Sequence, residues 1–457
     1  MFRNPNSPVF RPRTFAQAGR EREDFWSDDG QGTSPSYVTT NTGSNEIGNQ
    51  IKHSKNISGS LITMGAFPSR KQRNVMEESF RPILIVMSAF GLLFPSGDGG
   101  QEDNNCRKYR CRKTMFLKFY TSLVVVLVWS AFVRYVIGVV VGDIVPTHIT
   151  TAISVGVWYF QSASNAAICL YYSCKSHRLL LFFHNWQTCW QDSLYNTDAE
   201  LKFPRSWIKK RVCVMLFLSI TFVVVATAYP AVGRYGSNEA LRNETFFVTS
   251  RTLGSSADPF FIVLHCYAVG AWVFPVVPFI IICSVLSRQF EKVTKKLEAS
   301  IDYTGRMTYS LQTLRRQHQF LCQAVNEADD IFSFFILVTL SSSFVLVCFL
   351  LHQILNGSGT IALMGIAWFV ANTINIAVIC WFTASLHEKA HSPFRYLHNI
   401  SVLPGKDQHL QLMLFLSKLQ GECIGFTMWG ILVPTKEFII AVLGAFVTYF
   451  SLIAQIF

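Results

Sequence analysis

Val212 to Gly233 read VCVMLFLSITFVVVATAYPAVG, an apolar run without one charged residue. About 20 such residues cross the roughly 30 Å hydrocarbon core of a bilayer as a helix. Leu, Val, Ile and Phe stand in continuous blocks with no apolar and polar faces to alternate, so a buried helix of a soluble domain fits less well. Six further runs resemble it, giving spans at about 114–141, 149–173, 211–233, 260–287, 331–354, 360–385 and 437–457. The expected fold class is an all-α membrane protein with seven transmembrane helices. Composition agrees: half of the 457 residues are hydrophobic and only 15% are charged, beyond the apolar content of an ordinary soluble domain.

The net charge of +12 is gathered between the apolar runs. Arg107, Lys108, Arg110, Arg112 and Lys113 precede the first span, Lys209, Lys210 and Arg211 the third, and Arg288, Lys292, Lys295 and Lys296 follow the fourth. The connections after spans one and five hold no Lys or Arg. Lys and Arg gather on the cytosolic side, so the N-terminus is expected inside and Phe457 outside. G-protein-coupled receptors run the other way. Of the glycosylation sequons, Asn243-Glu-Thr and Asn356-Gly-Ser fall in loops expected outside, while Asn56-Ile-Ser and Asn399-Ile-Ser fall inside and should stay bare.

Residues 1–77 form a separate region, rich in Ser, Asn, Gly, Arg and Asp and lacking a signal-peptide core; they read as a disordered cytosolic tail. Residues 78–457 form the seven-helix domain, opening with the short apolar stretch ESFRPILIVMSAFGLLFP, which reads as an interfacial or re-entrant helix. Between Arg288 and Asp330, Phe290, Val293, Leu297, Leu311, Leu314, Leu321 and Val325 recur at helical spacing. Spans four and five are therefore expected to continue as long cytosolic helices. An amphipathic helix over His409–Phe426 would pack on them, making a cytosolic helical anchor region.

Two features imitate chemistry. His387-Glu388-Lys389-Ala390-His391 is a literal H-E-x-x-H, in which two His one turn apart hold zinc and Glu acts as base. Pro393 breaks the helix almost at once, and Glu422 is the one third ligand to name, so a polar helix end at the cytosolic boundary competes with a membrane zinc protease. Half of the twelve Cys stand inside spans as small apolar residues, and Cys106 and Cys111 lack a second pair for zinc. No catalytic residue, metal site or cofactor is expected. Topology accounts for the basic residues, leaving nucleic-acid binding without support.

In the last span Gly444, Thr448, Ser451 and Gln455 are spaced by four, three and four residues and share a helix face. Phe438, Ile439, Val442, Leu443, Ile453 and Phe457 fall largely elsewhere. Such a stripe serves either helix packing through small and hydroxyl residues or a water-filled pathway with one copy per subunit.

From Gly425 the sequence GFTMWGILVPTKEFIIAVLGAFVTYFSLIAQIF resembles the C-terminal signature of the insect-type gustatory receptors, which are invertebrate seven-transmembrane chemoreceptor channels. Thr448 and Tyr449, five residues and then Gln455 match its Thr-Tyr, five mostly hydrophobic residues and Gln-Phe. Ile456 replaces the Phe, and Phe450 stands where the sugar-receptor members carry Glu. The resemblance, over roughly residues 80–457, implies a ligand-gated non-selective cation channel, a homotetramer or a heterotetramer with related receptors, in the cell membrane of sensory or other neurons. Its pore is lined by the last helix, and each subunit has a small-molecule pocket among the outer parts of spans two to six. A metabotropic or orphan seven-helix receptor, including one linked to light sensing, is the alternative.

For the pocket, the expected topology places Trp158 and Gln161 in the outer to middle part of span two, His265 in span four, and Trp368 and Asn372 in span six. Aromatic faces with a few directed polar groups suit a small, partly polar ligand; interfacial aromatics and interhelical bonds are the alternative for each residue. For the gate, Gln455 is expected to face the axis near the outer mouth, Ile456 to form a hydrophobic constriction, and Thr448 and Ser451 to continue the wet face inward. The abrupt end at Phe457 leaves that mouth unobstructed.

Overall fold

The computed structural model describes residues 75–93, 104–142, 149–174, 179, 182–183, 186, 205–235, 257–356, 360–400 and 406–456. The expected tail up to residue 74, the sequons at Asn56 and Asn243, and Phe457 lie outside them. So do the side chains of Arg107, Lys108, Arg110, Arg112, Lys113, Cys106, Cys111, Asn356, Ile453 and Ile456. All of these described residues fall in one compact unit, Ser69–Phe457.

Eleven helices are described: α1 (Val75–Ala89), α2 (Asn104–Val141), α3 (Ile149–Cys174), α4 (Arg205–Tyr235), α5 (Asp258–Val273), α6 (Val276–Ala299), α7 (Leu311–Asn356), α8 (Thr360–His391), α9 (Pro393–Leu397), α10 (Lys406–Gly421) and α11 (Lys436–Ile456). One helix lies over each of the expected spans except the fourth, where two, α5 and α6, follow each other. Five segments are apolar and long enough to cross a membrane by length and composition: Met115–Val141, Arg205–Tyr235, Asp258–Ala299, Leu311–Leu355 and Ala362–Leu397. The other two, α3 and α11, are single helices of 26 and 21 residues, also sufficient for about 30 Å. Ser, Thr, Gln and Asn along α3 dilute its apolar character. The fold is all-α, in keeping with the need to satisfy backbone groups internally in lipid.

The fourth span is the central pillar. Its apolar window is almost wholly buried, which is how a helix hydrophobic on every side must be placed. It is also broken where the sequence suggested one element: Phe274 and Pro275 form a turn between α5 and α6. Pro275 has no N–H to give to the carbonyl four residues back, so the ladder is interrupted there. Around the pillar, α7 packs on α8, α3 and α6, α2 on α3, and α4 on α5 and α1.

The short opening helix is α1. Phe80, Ile83 and Met87, spaced along one face, are buried, and Glu78 is clasped by Arg205 and by Lys209 at 3.1 Å from α4. Those two partners, Lys209 foremost, hold the Glu78 carboxyl below its ordinary range.

At 46 residues α7 is roughly 70 Å long, more than twice a hydrocarbon core. Its first half, with the second half of α6 and with α9 and α10, forms the expected anchor. Phe290, Val293, Leu297, Leu311, Leu314, Leu321 and Val325 are all buried there, joined by Phe415 and Leu419 of α10. At its centre His318 lies between the rings of Phe290 and Phe415, 5.2 and 5.1 Å away. Between α6 and α7 the chain turns tightly: Asp302 Oδ1 accepts from the N–H groups of Thr304 and Arg306.

Candidate functional site

Three helices bring aromatic rings together within the bundle. Trp158 of α3 lies 5.0 Å from His265 of α5 and 5.5 Å from Trp368 of α8, centroid to centroid. Tyr159 adjoins Trp158 at 4.9 Å, and Trp272, two turns along α5 from His265, reaches Trp368 at 6.1 Å. Trp158, His265 and Trp272 are buried, and Trp368 is half-buried. Rings at these separations favour tilted and edge-on pairs, the arrangement their quadrupoles prefer.

The two amides expected beside them are buried but aim differently. Asn372 stays on α8, its Nδ2 donating to the Trp368 carbonyl at 2.9 Å. Gln161 turns to α7, where its Nε2 donates to Ser343 Oγ at 3.1 Å and to the Thr339 carbonyl at 3.4 Å. One turn on, Asn165 accepts from Thr339 Oγ1 at 3.4 Å. The structure thus joins Trp158, His265 and Trp368 in one cluster, keeps Asn372 at its edge and puts Gln161 in a polar seam between α3 and α7.

Polar capacity remains unused in this region. Among the described residues the buried indole N–H groups of Trp158 and Trp272 find no acceptor, and Gln161 Oε1 and Asn372 Oδ1 no donor. An unsatisfied buried polar group costs about 1–3 kcal/mol. Two donors and two acceptors around a ring cluster are what a small ligand with both kinds of group would satisfy.

The last span shows a division of faces. Phe438, Ile439, Val442, Phe446 and Tyr449 are half-buried; Phe446 stacks on Phe344 of α7 at 5.3 Å, and the Tyr449 hydroxyl donates to the Cys348 carbonyl at 3.4 Å. Gly444, Thr448, Ser451 and Gln455 are exposed, about 180° round the helix from Phe446. A Cβ added at Gly444 would meet nothing within 4 Å. Thr448 and Ser451 donate to the carbonyls of Gly444 and Val447, each at 2.9 Å, which leaves their oxygen lone pairs outward. Ile440, Leu443, Val447, Phe450 and Leu452 are exposed as well.

The H-E-x-x-H stretch ends α8 beside the loop that leads into α11. His387 Nδ1 donates to the Ile424 carbonyl at 2.9 Å. His391 Nδ1 donates to the Leu419 carbonyl at 3.1 Å, and its Nε2 accepts from the Ile424 N–H at 3.3 Å. Those two bonds require a neutral His391 with its proton on Nδ1. Glu388 pairs with Lys436 at 2.7 Å and Glu422 with Lys418 at 3.1 Å. The two His tie the loop down, and with Glu388, Lys436, Glu291, Lys389 and Glu437 they line an open polar cavity of about 640 Å³. About five turns along α7, Asp329 adds a second tie, accepting from the Thr427 N–H at 2.6 Å and from its hydroxyl at 2.7 Å.

The model of the 7tm chemosensory receptor family matches residues 80–456. The chain belongs to that family. The insect olfactory receptor OR5 from Machilis hrabei shares the fold at a TM-score of 0.60 and 15% identity, over 84% of this chain and 99% of that one. The same receptor in complex with eugenol aligns at a TM-score of 0.57, with 15% identity and the same shares, 84% and 99%. Among curated protein sequences there is no match. A chemosensory receptor is not an enzyme, and the two His of H-E-x-x-H have a structural task in it.

Sequence reasoning missed Trp272, Tyr159 and the Asn165–Thr339–Ser343 seam of this chemosensory receptor. Trp272 carried a usable signal, standing seven residues after His265 and so on the same helix face. The seam carried none, because one partner of Gln161 is a main-chain carbonyl.

Proposed function

We propose that the chain is a gustatory-receptor-like chemoreceptor: a ligand-gated, non-selective cation channel of the cell membrane in sensory or other neurons. Four subunits, alike or mixed, surround a pore lined by α11. The observation that carries this reading is the division of faces on that helix. One side of α11 packs on α7, while the side bearing Thr448, Ser451 and Gln455 has no cover among the described residues. Polar side chains on a membrane-spanning helix need a partner or water, and a hydrated axis shared by several copies supplies it. Four Gln455 amides would coordinate ions partially, and Ile456 would close the path by dewetting. The Thr448-Tyr449, five-residue, Gln455 signature supports the gustatory assignment over the olfactory one.

The ligand site in this reading is the ring cluster of Trp158, His265 and Trp368, with Asn372 at its edge and Gln161 behind it. Its mixture of ring faces and unused donors and acceptors suits a neutral, small, partly polar molecule; that the similar receptor OR5 was solved with eugenol is consistent with this. Asn243 and Asn356 would carry glycans on the outer side.

Purified protein in a planar bilayer tests the reading. Ligand-dependent cation current is expected from the protein alone. Gln455→Ala should change conductance or selectivity at unchanged expression, and Ile456→Ala should raise basal leak. Trp368→Ala should move the dose response about tenfold to higher ligand concentration, the loss of roughly 1.4 kcal/mol. Silence from the purified protein would sink the channel reading; unaltered currents in all three variants would sink the gate and pocket assignments; either outcome leaves the fold standing.

A further inference from the structure

Trp207, Arg211, Val214 and Leu218 follow one another along α4 at steps of four, three and four residues and so share a face. The apolar part of this stripe is open to the surroundings, Val214 being 50% and Leu218 56% exposed. The opposite flank of the helix faces the bundle, with Ile208 and Val212 buried completely. On a membrane-spanning helix an exposed Val and Leu meet acyl chains. Trp207 and Arg211, a turn or two toward the helix start, then lie where the hydrocarbon gives way to headgroups.

A second cation converges on the same spot. The guanidinium of Arg211 lies 4.2 Å from the Trp207 ring centroid, and that of Arg288, from α6, lies 4.8 Å from it. Lys210 is exposed beside them. The neighbouring acid, Glu78, is held by Arg205 and Lys209. Among the described residues neither Arg211 nor Arg288 has a carboxylate partner. Two like charges gathered at one indole repel each other, and a guanidinium laid on a ring face keeps its in-plane N–H donors for an anion.

We propose that Arg211, Arg288 and Trp207 form a binding site for the phosphate headgroup of an anionic phospholipid in the cytosolic leaflet. The lipid rather than a free anion is the occupant because the same helix face continues without interruption into the acyl-chain region. Headgroup and chains are met by one stripe, cationic at its end and apolar along its length. Arg–phosphate pairing is bidentate and charge-assisted, and basic pockets between helices at this depth recognise such headgroups. The choice of leaflet rests on the Lys and Arg orientation proposed above; the pairing itself does not.

The test uses the full chain in phosphatidylcholine nanodiscs, titrated with phosphatidylinositol 4,5-bisphosphate and read by native mass spectrometry and by the thermal midpoint. The wild type is expected to retain the bisphosphate lipid over phosphatidylcholine and to gain thermal stability from it. Arg211→Gln with Arg288→Gln should weaken retention about 25-fold, near fivefold per charge. Arg211→Lys with Arg288→Lys should keep most of it, which separates loss of the site from loss of the fold. Lys295→Gln, which removes a charge elsewhere on α6, should change nothing. Equal retention by the wild type and the double Gln variant overturns the site. Soluble inositol trisphosphate competing as well as the lipid at equal concentration overturns the lipid as occupant. Retention in nanodiscs together with an N-terminus mapped outside the cell would overturn the cytosolic leaflet alone.

Discussion

Gly270 stands where α5 receives the end of the first described segment. A Cβ there would lie 2.3 Å from Phe90 Cδ1 and 2.7 Å from its Cε1. Phe90 has little room to yield, being packed on Phe274 at 4.7 Å and on Tyr267 at 5.8 Å. Gly270→Ala is therefore expected to destabilise the protein by about 1–3 kcal/mol, the usual range for overpacking, seen as a lower thermal midpoint in detergent. Adding Phe90→Ala should remove part of that loss; a double variant worse than the sum would contradict the contact. Glu78 offers a second test at this scale. Its folded-state pKa lies below the ordinary 4.5 through Lys209 and Arg205. Its contribution is then complete above that ordinary value and is lost as pH falls through the lowered one. Acid should loosen α1 from α4 in the wild type, read by hydrogen exchange over residues 75–89, and Glu78→Gln should be loose already at neutral pH.

The loop between α10 and α11 decides how the last helix is held. Thr427 is gripped twice by Asp329, and His387 and His391 hold Leu419 and Ile424. Beyond them Trp429 adopts a φ of 52° and Gly430 one of 74°, a left-handed pair of which only the glycine is at ease. Hydrogen bonds to a charged group are worth about 1.5–3 kcal/mol, so Thr427→Val should lower the thermal midpoint and raise basal current together. A fall in stability with unchanged basal current would mean that the loop is scaffold only. Little of this was readable beforehand. The anchor core was, since Phe290, Val293, Leu297, Leu311, Leu314, Leu321 and Val325 announce one face by spacing alone. Of the five residues expected at a pocket, Trp158, His265 and Trp368 adjoin one another because large aromatics inside spans have few places to go. The ties to Leu419 and Ile424 were hidden, because the partners of the two His are main-chain groups that any residue supplies. The same holds for Gln161, whose direction depends on which polar neighbour α7 brings beside it.

For the molecule as a whole, the Lys and Arg asymmetry predicts that an epitope added after Phe457 stains intact cells. Staining only after permeabilisation would reverse the bundle and remove the receptor-channel reading with it. The length of α7 has a mechanical consequence. One uninterrupted helix touches the polar seam at Thr339 and Ser343, the last helix at Phe344 and Cys348, and the loop tie at Asp329. Such a rod has no hinge in which to absorb a displacement. Pivoted at one end, a tilt of about 5° over its roughly 70 Å carries the other end about 6 Å, so a shift of α3 against α7 by a fraction of a side chain works a lever whose far arm lies in the anchor.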